Sequence, residues 1–212
     1  MRWVQSTFAG VDTLDLEMFP TDCRLTGVKG IFGPLIAQYV FAHGLGAQRH
    51  VQLYREQQQK KQWQPLEFQS IQGLTVLVLG TGSIGQHLAG VARGFGMRTC
   101  GVNQNGTRAS GFDEVWPVSQ LQQAMGDAHW IVNTLPATVH TRSLLNDNTF
   151  APCRGALFFN VGRGHAVEED ALLKALGDGK IAHAFLDVFT HEPLSSMHPF
   201  WTHPKVTVTP HE

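Results

Sequence analysis

Charge of either sign is not in excess in this sequence: 16 Lys and Arg stand against 17 Asp and Glu, a formal net charge of −1. That balance gives no electrostatic reason to expect a nucleic acid or an anionic membrane surface as partner. No apolar run approaches the roughly 20 residues a membrane-spanning helix needs. The opening stretch, MRWVQSTFAGVD, lacks the basic region and apolar core of a secretory signal. Cysteine is scarce, and Cys23, Cys100 and Cys153 are isolated, with no C-x-x-C spacing, which fits a reducing compartment. A cytoplasmic location is therefore expected. H-E-x-x-H is missing, since His191-Glu192 runs into Pro193, and His183, His198 and His203 lack helical pairing with a third ligand, so no metal is expected. The G-x-S-x-G elbow of a serine hydrolase is absent too. No repeat with a period of 20 to 50 residues occurs, which excludes a solenoid.

What is present is organised around LTVLVLGTGSIGQHLAGVA, residues 74–92. Thr75 to Leu79 is a short aliphatic and β-branched run, the pattern of a strand buried on both faces. Gly80, Gly82 and Gly85 follow at once, and Ile84 to Phe95 carries apolar residues at helical spacing. A G-x-G-x-x-G between a strand and a helix is the fingerprint of a dinucleotide-binding turn. The first glycine permits the tight turn, the second lets backbone approach a pyrophosphate, and the third lets helix pack on strand. The N–H groups of the helix start, including those of Ser83 and Ile84, then face the phosphates.

Strands and helices alternate through the rest of the chain. Strands are expected at 3–7, 23–25, 99–102, 130–133, 156–160, 184–187 and 206–209. Helices are expected at 13–18, from Pro34 to about Gln59, at 119–125 with Ser119 as cap, around Leu144, and at 168–176 ending at Gly177. Trp63 either plugs a loop or anchors an interface. Such alternation predicts an α/β fold with a doubly wound parallel sheet. Ligands of these sheets collect beyond the carboxyl ends of the strands. That rule selects Gly80 to Gly85, Asn103 to Arg108, Thr134 to Pro136, Val161 to Arg163, Asp187 to Glu192, and His211.

Three stretches, FFNVGRGHAVEEDALLKAL, FLDVFTHEPL and VTVTPHE, are similar to the signatures of the D-isomer-specific 2-hydroxyacid dehydrogenases. VQSTFAGVD and GVKGIFGPLIAQYVFAHGL also resemble that family, within which the wording is most similar to the glyoxylate/hydroxypyruvate reductases. The resemblance implies a Rossmann-type dinucleotide-binding domain at 27–212 and, at 1–26, the C-terminal remnant of a flavodoxin-like substrate domain. It implies hydride transfer between a nicotinamide cofactor and a small 2-keto or 2-hydroxy acid. Arg163 would orient the substrate, its paired donors suiting a 2-keto acid. His211 would be the acid and base at the carbonyl oxygen, and Glu192 would bond its other ring nitrogen. Ala9, Gly10 and Val11 would hold the substrate carboxylate with backbone N–H groups. Leu135, Pro136, Val161, Gly162 and Asp187 would line the cofactor, with Asp187 beside the nicotinamide. The family also implies a homodimer, with Trp63 and the helix from Pro34 in its interface.

The acidic residue expected about 20 positions after the glycines, which would bond the ribose 2′-hydroxyl of NAD, is missing. Asn103 stands there, followed by Gln104, Asn105, Thr107 and Arg108. Removing the carboxylate removes repulsion of a 2′-phosphate and adds donors, so NADP is expected, with NAD possible. Gln38 replaces the glutamate usual in the family's A-E-Y stretch. The chain reads as truncated at both ends relative to the family. Two other readings stay open: a phosphoglycerate dehydrogenase-like enzyme, and a non-catalytic dinucleotide-sensing module.

Overall fold

The computed structural model describes residues 3–7, 10 and 16–211. β1 (Trp3–Gln5) and β2 (Arg24–Thr26) form a two-stranded parallel sheet of their own, with a 3-10 turn at Leu16–Met18 between them. A pair of three-residue strands buries little, and each of their six residues is half-buried or exposed. Next come α1 (Phe32–Gln48) and α2 (Val51–Gln59). The single helix expected from Pro34 to Gln59 is thus two. The break is at His50, whose φ of 54° lies in the left-handed region that ends a helix. Gly44 in α1 is buried, and a Cβ there would lie 2.3 Å from the Trp130 ring, so glycine lets α1 approach the sheet.

The main sheet has seven parallel strands in the order β5-β4-β3-β6-β7-β8-β9. They are β3 (Thr75–Leu79), β4 (Arg98–Asn103), β5 (Glu114–Pro117), β6 (Trp130–Asn133), β7 (Ala156–Asn160), β8 (Ile181–Leu186) and β9 (Val206–Val208). β3, β6 and β7 are buried at every position, because helices cover both faces. Side chains alternate along a strand, and the core divides accordingly. Val76, Val78, Trp130, Val132 and Phe159 pack with Val40 and Phe41 of α1 and Leu88 of α3 (Ser83–Gly94). Leu77, Leu79, Ile131 and Phe158 face the other way, toward Met125 of α4 (Leu121–Gly126), Phe150 of α5 (Asp147–Phe150) and Leu172 and Leu176 of α6 (Glu169–Gly177).

Local differences from the sequence expectation have local causes. β5 carries no clear alternation and ends on Pro117, which a sheet tolerates at its edge. Ser119 lies inside a 3-10 turn, Val118–Gln120, and caps no helix through its side chain. The helix expected around Leu144 begins at Asp147, because Asn146 accepts from the N–H groups of Asn148 and Thr149 while Thr149 reciprocates, a capping box. Cys100 and Cys153 are buried and all three cysteines are free, and burial pushes the Cys153 thiol up to about 11. No helix among the described residues is long and apolar enough to cross a membrane.

Candidate active site

The strand order reverses direction at β3, which lies between β4 and β6, and that reversal opens a crevice beyond the carboxyl ends. Thr134, just after β6, bridges the point, its Oγ1 donating to the Leu79 carbonyl at 2.9 Å. The glycine turn sits beside it. Gly80 has φ +102°, and a Cβ on it would meet Thr134 Oγ1 at 2.8 Å. A Cβ on Gly85 would fall 2.1 Å from the Gly80 carbonyl oxygen, so the helix packs on the turn as its spacing predicts. Gly82, the residue before α3, differs: its chain neighbours aside, nothing among the described residues lies within 4 Å of where its Cβ would be. Ser83 and Ile84 open the helix, and no side chain caps it. An uncapped helix start beneath an open approach to backbone fits a phosphate-bearing dinucleotide.

Farther along the sheet, two asparagines shape the loops. Asn133 and Asn160 end β6 and β7 in register, and Asn133 Nδ2 donates to Asn160 Oδ1 at 2.8 Å. Asn133 Oδ1 then accepts from Leu135 N, while Asn160 Oδ1 accepts from Gly162 N and its Nδ2 donates to the Arg163 carbonyl. Each carboxamide therefore holds the loop that follows it. The sequence reading missed both, although Asn at the end of two adjacent strands is a legible signal.

The glycines around Arg163 have a reason in contact. A Cβ on Gly162 would come 2.7 Å from the Leu135 carbonyl oxygen, and one on Gly164 would come 1.9 Å from the Phe189 carbonyl carbon. The loop after β7 is thus wedged between the loops after β6 and β8, with Gly162 against Leu135 on one side and Gly164 against Phe189 on the other. Arg163 is half-buried there, and its Nη1 donates to the Gly162 carbonyl at 2.8 Å.

Glu192 and His211 come together from loops 19 residues apart, His211 Nδ1 lying 2.7 Å from Glu192 Oε2. The other carboxylate oxygen accepts from Phe189 N at 2.8 Å, so both oxygens are engaged. Nδ1 is the ring nitrogen that Glu192 holds, which directs Nε2 to any reacting group. His211 has φ +58°. Asp187 follows β8 and is 3% exposed; it accepts from Thr209 Oγ1, which lies 2.9 Å from the Tyr39 hydroxyl.

Asn103 ends β4 and spends its carboxamide on its own loop. Nδ2 donates to Thr81 Oγ1 at 3.0 Å and to the Thr107 carbonyl at 2.8 Å, while Oδ1 accepts from the N–H groups of Asn105 and Thr107. The asparagine ties this loop to the glycine turn. Arg108 is exposed beside it. Gly10 is half-buried; Ala9 and Val11 lie outside the described residues. No group of three or more His, Cys, Asp or Glu suited to a metal ion occurs among the described residues.

Residues 41–212 match the family described as D-isomer specific 2-hydroxyacid dehydrogenase, NAD binding domain. Glyoxylate/hydroxypyruvate reductase A of Yersinia enterocolitica is 38% identical over 176 residues, 82% of this chain and 56% of that protein. The chain thus spans little more than half the length of this relative. A crystal structure of a D-isomer specific 2-hydroxyacid dehydrogenase family protein from Aeromonas salmonicida superposes with a TM-score of 0.95 at 46% identity, covering 100% of this chain and 69% of that one. The NADPH-dependent glyoxylate/hydroxypyruvate reductase of Sinorhizobium meliloti, solved with NADP and sulfate, has a TM-score of 0.89 at 30% identity, with 100% and 69% covered.

Proposed function

The chain belongs to the D-isomer-specific 2-hydroxyacid dehydrogenases, and we propose that it forms the dinucleotide-binding part of an enzyme that reduces a small 2-keto acid, glyoxylate or hydroxypyruvate, with NADPH. The observation that carries this reading is the Glu192–His211 pair, held at 2.7 Å in the loops that follow β8 and β9. The nicotinamide, when bound, supplies the hydride that adds to the carbonyl carbon. This chain's residues do the rest. Arg163 orients the acid through its guanidinium, Glu192 fixes the imidazole, and His211 delivers the proton to the carbonyl oxygen, leaving the 2-hydroxy acid. In oxidation the same imidazole takes the proton back.

Gly80, Gly82, Ser83, Ile84 and Gly85 cradle the pyrophosphate in this reading. Leu135, Pro136, Val161, Gly162 and Asp187 line the nicotinamide half, and Asn103 and Arg108 the ribose end. NADP is favoured because the loop after β4 holds Asn103 instead of a carboxylate and exposes Arg108. Residues 1–26, whose described strands β1 and β2 pair with each other, belong to a substrate domain in which Ala9, Gly10 and Val11 hold the substrate carboxylate, and 27–212 form the dinucleotide domain. The protein works in the cytoplasm as a homodimer. Trp63 is 99% exposed, which rules out its being a plug, and Val51, Leu53, Tyr54 and Phe68 are exposed near it in sequence. The test is a spectrophotometric assay of the protein with glyoxylate or hydroxypyruvate and NADPH, and with 3-phosphoglycerate and NADP+ or NAD+. Oxidation of NADPH by the first two supports the reading. Turnover of 3-phosphoglycerate alone, or nucleotide binding without any turnover, overturns it.

A further inference from the structure

We propose that Tyr39 is a positioning residue for this site, acting through Thr209 on the Asp187 carboxylate and on the segment that carries His211. The proposal rests on the reading of the site given above. A carboxylate as buried as Asp187 needs donors close by. Thr209 Oγ1 supplies one at 2.5 Å, and a hydroxyl has a single proton to give. With that proton committed to Asp187, Thr209 can only accept from Tyr39, whose hydroxyl lies at 2.9 Å. The direction of both bonds is thereby set, from α1 through the end of β9 to the end of β8. A chain of this kind that ends on a charge polarises each member and stiffens it.

Thr209 is anchored a second time, its N–H donating to the Leu186 carbonyl at 3.0 Å. Two residues later, His211 is held by Glu192. The segment 209–211 is therefore pinned at both ends, and Tyr39 is the part of the inner anchor that comes from outside the sheet. Its ring packs 4.5 Å from that of His43, which lies 5.1 Å from Phe185 of β8, so α1 is keyed to the sheet beneath the site. Phenylalanine would fill the same space; only the hydroxyl completes the relay.

Asp187 lies on the half of the sheet across the crevice from the glycine turn. A dinucleotide that straddles the crevice brings its second half to that side. A fixed negative charge there favours a cationic, oxidised nicotinamide over the neutral, reduced ring. The relay should thus bias nucleotide affinity as well as hold the histidine segment.

The test uses Tyr39→Phe, Thr209→Val and Thr209→Ser in the intact protein. Calorimetry gives the Kd for NADP+ and for NADPH, and steady-state kinetics gives kcat and KM for glyoxylate. Tyr39→Phe and Thr209→Val should weaken NADP+ relative to NADPH by about three- to tenfold, the scale of one hydrogen bond. Both should lower kcat while KM for glyoxylate stays within about twofold. Thr209→Ser keeps the hydroxyl and should restore both values. An unchanged affinity ratio in Tyr39→Phe and Thr209→Val would overturn the relay. A wild-type protein that binds both nucleotides but reduces no 2-keto acid would count against the proposed reaction instead, and the affinity ratio alone would then decide the role of Tyr39.

Discussion

Asn133 and Asn160 face each other at the ends of adjacent parallel strands, their carboxamides joined at 2.8 Å, and each reaches forward to hold the loop that follows. Asn133→Ala should leave Leu135 N without its side-chain acceptor and take from Asn160 Oδ1 one of its two donors, Gly162 N remaining. A buried polar group left unpaired costs about 1–3 kcal/mol. Urea denaturation should register that loss, and the loop bearing Arg163 should loosen with it. A variant as stable as the wild type would show that water replaces the pair at no cost.

Cofactor choice is expected to follow the loop after β4. Arg108→Ala should weaken NADPH and leave NADH nearly unchanged, since only the former carries a 2′-phosphate. Asn103→Asp keeps the acceptor for Asn105 and Thr107 N but loses the donor to Thr81 and to the Thr107 carbonyl and adds a negative charge. It should reverse the preference, with each charge-assisted contact worth about 1.5–3 kcal/mol. Titration of each variant with both nucleotides measures this, and equal affinities in the wild type would refute it.

Three substitutions separate the proposed catalytic roles. His211→Ala should chiefly lower kcat, by about 10²–10⁴-fold for a lost general acid. Arg163→Ala should raise KM and lower kcat together, because the guanidinium both binds and orients. Glu192→Gln should lower kcat less than His211→Ala does, since an amide retains part of the Nδ1 contact and part of the bond from Phe189 N. Steady-state kinetics on purified variants discriminates among these patterns.

Assembly should depend on the exposed apolar surface that includes Trp63. Sedimentation is expected to show a dimer, and Trp63→Ala should shift it toward monomer, as loss of an aromatic anchor does. A monomer at every concentration would exclude the arrangement.

His183 should give stability a defined pH dependence. Burial, with His203 and His43 nearby, holds its pKa below the ordinary histidine value. The unfolded chain therefore binds the proton first as pH falls, near the unperturbed value of about 6.5. Stability present above that value should decline as pH drops from it toward the lower folded pKa. His183→Gln should remove this component, which melting temperatures of both proteins at pH 8 and pH 5 would reveal.

Much of this molecule was determined locally. A strand such as Thr75–Leu79, buried on both faces, is an aliphatic and β-branched run, and Gly85 after it is set by contact with the Gly80 carbonyl five residues back, so both are readable in order along the chain. The rule that ligands gather beyond the carboxyl ends of parallel strands then selected the loops that hold Arg163, Asp187, Glu192 and His211, and residues of those loops do converge in space. The helix break at His50 was hidden because a left-handed residue other than glycine leaves no mark in the periodicity. β5 was hidden because its placement depends on pairing with β4.

Only the tertiary structure decided which side chains serve one another. Gly162 and Gly164 look like loop flexibility in a sequence, yet neighbouring backbone on each side leaves no room for a Cβ. Asn103 looks like a cofactor ligand, yet three of its hydrogen bonds shape its own loop and a fourth ties that loop to Thr81 of the glycine turn. Tyr39 is one residue of the expected helix from Pro34, and its hydroxyl acquires a partner 170 residues away only when that helix packs beside the end of β9. Periodicity records which face of an element is buried. It carries no information about which polar atoms meet once two elements pack, because that is set by the crossing of distant segments.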